Sequence, residues 1–119
     1  MAAMRPIARA LLAATVLALP ASAATIVFFT TMDGPSEAPP VASPATGWAR
    51  VTFDDVAVTM HVQAMFDDLV GNTTVAHIHC CTAEPGAGTV GVATQPGTFL
   101  GWPVGVTSGS YENSFDMSV

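Results

Sequence analysis

The alternation of apolar and polar positions is clearest from Val56 to Phe66, VAVTMHVQAMF. Val56, Val58, Met60, Val62, Ala64 and Phe66 fall on one face of an extended chain, and Ala57, Thr59, His61, Gln63 and Met65 on the other. A period of two predicts a half-buried strand of an antiparallel sheet, because successive side chains of a pleated strand point to opposite faces. Around it the pattern predicts further strands. Ala24–Met32 (ATIVFFTTM) reads as a first strand, apolar enough to be buried. Asp33–Pro44 carries four prolines and a glycine and reads as a loop. Trp48–Phe53 is a second strand, closed by a turn at Asp54-Asp55. After the turn region Asp67–Asn72, Thr73–His79 reads as a fourth strand. Cys80–Thr89 and Thr94–Gly105 are loops flanking a short apolar piece, Val90–Ala93. Ser108–Val119 reads as a last strand, with Tyr111, Phe115 and Met117 pointing inward. Strands joined by hairpins, with no long helical periodicity beyond the N-terminus, predict an all-β fold, an antiparallel β-sandwich or small barrel.

The N-terminus follows a different pattern. Arg5 and Arg9 precede an apolar run, Ala10–Leu19; Pro20 interrupts it, and Ala21-Ser22-Ala23 places small residues where a signal peptidase reads. The run is shorter than the roughly 20 residues of a spanning helix. Residues 1–23 are therefore expected to be a signal peptide and 24–119 a single domain, placed outside the cytoplasm: secreted, periplasmic or in the cell envelope. No membrane span is expected in the mature chain.

Removal of the signal changes the charge. The whole chain has three basic and nine acidic residues, a net of −6. After Ala23 only Arg50 remains against all nine acids, so one minus nine gives −8. Such a surface repels phosphate backbones and anionic lipid, which excludes nucleic acid as a partner and favours cations.

The concentrated chemistry is His77-Ile78-His79-Cys80-Cys81. On an extended chain His77 and His79 share a face, while Ala76 and Ile78 turn to the core. Two imidazoles at this spacing can hold one metal ion, copper or zinc, and Cys81 falls on the same face if the extended geometry continues. His61, on the outer face of the preceding strand, approaches the pair if the two strands are neighbours. The candidate metal ligands are His77, His79, His61 and Cys81; the competing reading is a row of solvated polar residues. Cys80 and Cys81 have three readings: a vicinal disulfide in an oxidising compartment, soft-metal ligands, or two inert small residues. No nucleophile elbow of the Gly-x-Ser-x-Gly kind occurs, and no catalytic residue is assigned. Asp54-Asp55 and Asp67-Asp68 offer a weaker calcium reading. Trp48, Phe99 and Trp102 read either as a contact surface or as caps on the core.

Glu37-Ala38-Pro39-Pro40-Val41, Ser43-Pro44-Ala45-Thr46-Gly47 and, after a strand and turn, Ala76-His77-Ile78-His79 resemble the CHRD domain family, with Ser36 where the family's pattern has Asn. The Cys-Cys-Thr-Ala-Glu-Pro-Gly continuation is similar to a bacterial secreted subgroup. The resemblance implies an immunoglobulin-like β-sandwich and a non-enzymatic binding or structural role, with an extracellular protein or envelope component as partner. The Ala-His-Ile-His strand also resembles the one that supplies copper ligands in copper-zinc superoxide dismutases, here through His77 and His79. A full domain of the family continues into a second histidine-bearing strand, so the sandwich is expected to be incomplete here.

Overall fold

A computed structural model of the chain describes residues 24–94 and 97–118. The signal-peptide segment 1–23 lies outside the described residues. Among the described residues four strands are present, β1 Thr25–Asp33, β2 Thr46–Asp54, β3 Thr59–Asp67 and β4 Gly109–Asp116, with a single 3-10 turn at Gly34–Ser36. They form one antiparallel sheet in the order β1-β2-β3-β4. The fold is all-β, as the alternation predicts.

The register of β2, β3 and β4 aligns one apolar face. Phe53 lies opposite Met60 and Met60 opposite Phe115; Ala49 lies opposite Ala64 and Ala64 opposite Tyr111. Met60, Val62, Ala64 and Tyr111 are buried there with Phe99, and Val51, Phe53 and Phe115 pack against them. The opposite face of β3 carries His61, Gln63 and Met65, as expected.

β3 begins three residues later than the alternation predicts. The Asp54 carboxylate accepts the Val56 and Ala57 amides at 2.9 and 2.8 Å, which turns the chain. Val58 then sits at φ 51°, in the left-handed region that a β-branched residue rarely enters. Val56 and Val58 therefore project into solvent rather than continuing the buried row.

Two other expectations are corrected. Strand β1 is not buried: every residue along it is exposed. It pairs only with β2, and the layer that covers the sheet packs on β2, β3 and β4. Ile26 and Phe28 stand beyond that cover on the inner face, while Val27 and Phe29 stand on the outer face.

The expected fourth strand, Thr73–His79, joins no ladder. It crosses the inner face of the sheet as an extended segment, with one isolated bridge between His79 and Val92. Its amides reach irregular partners. The Ala76 amide donates to Thr98 Oγ1 at 3.3 Å and the Ile78 amide to Thr94 Oγ1 at 3.2 Å. Its carbonyls accept from the Phe99 and Ala93 amides at Ala76 and Ile78, both at 2.8 Å. Glycines and prolines recur through 97–105 and disfavour a regular partner strand there, and threonine hydroxyls stand where a ladder would offer carbonyls. The second layer is thus a pair of irregular segments lying side by side rather than a regular second sheet.

Aromatic side chains join the layers. Phe99 stacks on Tyr111 with ring centroids 5.7 Å apart and packs on Phe115 at 5.4 Å. Trp102 stacks on Phe66 at 5.4 Å. These two loop aromatics cap the core. Trp48 belongs to the outer face, where it stacks on Phe29 at 6.1 Å. Met117, expected inward, is exposed.

Candidate functional site

His77 and His79 lie on the covering segment and point away from the core, which Ala76 and Ile78 face. Their rings are neighbours, with centroids 4.8 Å apart and planes at 62°. Each ring is anchored by the same atom. His77 Nδ1 meets the Gly97 carbonyl at 2.9 Å, and His79 Nδ1 meets the Val90 carbonyl at 2.6 Å. A carbonyl oxygen only accepts, so each Nδ1 carries the hydrogen and donates it. In the neutral imidazole that leaves Nε2 as the bare acceptor on both rings.

His61 is arranged in another way. Its Nδ1 lies 2.8 Å from Ser114 Oγ and its Nε2 3.2 Å from Glu112 Oε1. The carboxylate takes a hydrogen from Nε2, and Nδ1 then accepts from the Ser114 hydroxyl, so both nitrogens are engaged. The alternation along β3 also places His61 on the face opposite the cover. It therefore does not join the pair, because Thr73–His79 is not the neighbour of β3 in the sheet but lies across its other side.

The Cys80 and Cys81 sulfurs are placed as a bonded pair, which takes Cys81 out of the thiolate ligand set. Among the described residues no three histidine, cysteine or acidic side chains come close enough together to hold a metal ion. Of the four-residue set His61, His77, His79 and Cys81, the structure makes neighbouring rings of His77 and His79. Three of the four paired acids are occupied at turns: Asp54 as above, Asp55 by the Ala24 amide at 2.8 Å, and Asp67 by the Asp68 amide at 3.0 Å and the Ser108 hydroxyl.

The proline-rich loop has its own frame. The Gly34 carbonyl accepts the Glu37 and Val41 amides at 3.2 and 2.8 Å, which folds residues 34–41 into a compact arch ahead of β2. Gly34 is buried, and a Cβ there would meet the Val41 carbonyl oxygen. The arch brings Glu37 to a groove of about 740 Å3 whose other wall is His79, Cys80, Cys81 and the loop to Val90. Glu37 and Ala38 of the proline-rich patch and His79 of the Ala-His-Ile-His patch, distant in the chain, line that groove together. The carbonyls of Gly97 and Val90 that orient the two histidines carry no sequence signal, because any residue could supply them.

Fold and site together define a small antiparallel β domain with an imidazole pair on an irregular covering layer. A family model, the CHRD domain, matches residues 28–114, and the chain belongs to that family. No curated protein and no solved structure matches it.

Proposed function

We propose that the protein is an exported CHRD-domain module with a non-enzymatic binding or structural role, whose partner is an extracellular protein or a component of the cell envelope. The observation that carries this reading is the groove lined by Glu37 and His79, since it brings residues of both family-bearing patches to one surface. The export half rests on the order of charge, apolar run and small residues in segment 1–23. Among the described residues no helix is long and apolar enough to cross a membrane.

Expression of the whole chain in a bacterial host tests both halves. The protein is expected outside the cytoplasm with Ala24 as its first residue; a cytoplasmic product retaining Met1 or Met4 overturns export. A photo-crosslinking residue at Ala87, on the groove, is expected to capture an envelope or extracellular component, and one at Met65, on the outer face, is not. Equal capture from both positions removes the groove from the proposal. Turnover of superoxide by the purified protein would contradict a non-enzymatic role.

A further inference from the structure

We infer that His77 and His79 form a two-imidazole site for a late first-row divalent ion, copper(II) ahead of zinc, bound through the two Nε2 atoms. The inference stands on the geometry of the pair and is independent of the partner proposed above.

Three observations carry it. The first is the fixed tautomer. Metal-binding histidines characteristically donate the nitrogen that is not ligating to a carbonyl or carboxylate, which sets the ring's orientation and raises the basicity of the ligating nitrogen. Both rings have that arrangement, through Gly97 and Val90. His61 also donates one nitrogen to a carboxylate, but its other nitrogen is taken by the Ser114 hydroxyl and the ring lies on the opposite face of the sheet. The two anchoring carbonyls lie seven residues apart on the covering layer, so each ring has its own acceptor.

The second is spacing. A metal–imidazole bond of about 2.0–2.1 Å puts each ring centroid about 3.2 Å from the ion, and centroids 4.8 Å apart then subtend about 100° at it. That lies between the right angle of a tetragonal copper(II) site and the tetrahedral angle of zinc. The ring spacing is therefore the one that two imidazoles sharing an ion require, with water completing the coordination.

The third is charge. The chain is strongly acidic, and the Glu37 carboxylate lines the groove that His79 opens onto. A cation approaching the pair meets a favourable field. Neutral imidazoles select late first-row ions over calcium or magnesium, which prefer oxygen, and copper(II) binds most tightly in that series.

Asparagine gives the decisive substitution. Its side-chain amide reaches about as far as Nδ1, so His77→Asn and His79→Asn keep a donor for the Gly97 and Val90 carbonyls while removing Nε2. Titration of the exported chain with copper(II) is expected to show one ion per chain. Each Asn variant is expected to weaken binding by at least about tenfold, and His61→Ala to leave it unchanged. Copper binding that survives both Asn variants, or that is lost in His61→Ala, overturns the inference, as does an absence of stoichiometric binding. A measurement on the unmutated chain removes any dependence on how the variants fold. Substoichiometric copper(II) should broaden the ring resonances of His77 and His79 before those of His61; broadening that begins at His61 overturns the site.

Discussion

The Tyr111 hydroxyl donates to the Leu100 carbonyl at 2.9 Å. Tyr111 is a buried residue of β4, and Leu100 is an exposed residue of the covering layer, so this bond fastens the cover to the sheet edge. Tyr111→Phe keeps the ring against Phe99 and Trp102 and removes only the donor. The expected cost is about 1 kcal/mol, the usual net worth of one such bond. Urea unfolding should show a lower midpoint with an unchanged slope; an unchanged midpoint would mean that the bond adds nothing.

Phe99 is a loop residue that the core cannot lose. It is buried against Tyr111 and Phe115, and its amide holds the Ala76 carbonyl. Phe99→Ala should cost about 3–5 kcal/mol, while Phe99→Leu should cost less than about 1.5. In a domain this small the first figure approaches the whole stability. Thermal and denaturant melts of the two variants test the ordering.

Gly47 has no room for a side chain. A Cβ there would stand 2.6 Å from the Met65 carbonyl oxygen, and a backbone atom in a ladder cannot step aside. Gly47→Ala is expected to force β2 and β3 apart locally, at about 1–3 kcal/mol. Faster amide exchange at Gly47 and Phe66 is the local readout. Gly71→Ala, which meets nothing within 4 Å, serves as the neutral comparison.

Asp33 and Asp116 titrate below the usual carboxylate range. Hydrogen bonds from the Ser36 and Ser118 side chains, and then from the backbone amides of the same serines, favour their charged forms. A carboxyl whose native value is lowered contributes stability that is complete above its unfolded value. That contribution disappears as pH falls through the lowered native value. Carbon-detected titration should place both groups below an exposed carboxylate, and Ser36→Ala should return Asp33 toward the ordinary range. An unmoved Asp33 would remove the serine as the cause.

The proposed export makes Cys80 and Cys81 a disulfide in the mature chain. Intact protein isolated from outside the cytoplasm should take up no alkylating agent before reduction and two equivalents after it. Alkylation before reduction would return Cys81 to the thiol ligand reading.

The sheet was legible where alternation and burial coincide. Met60 to Phe66 alternates, and its inward members are the buried ones. Alternation misled at Val56 and Val58, where an aspartate cap turns the chain while the apolar pattern runs on. Composition marked β1 as a strand, but could not show that the cover stops at β2. The histidine pair was legible because residues two apart share a face in any extended segment, ladder or not. The place of His61 was not, since it depends on whether Thr73–His79 lies beside β3 or across it. Thr94 and Thr98 help to hold the segment across the sheet, and their hydroxyls look like ordinary loop polarity in the sequence.

Those two threonines have a consequence for how the layer tolerates change. A ladder shares one register along its length, so a residue inserted anywhere shifts every pair beyond it. The cover is tied at separate points, each closed by one hydroxyl or one carbonyl. Residues can be added between the ties without disturbing the ties themselves. The stretches between the ties can therefore lengthen while the sheet beneath keeps its alignment, provided that Ala76, Ile78, Phe99 and Trp102 stay seated on the core.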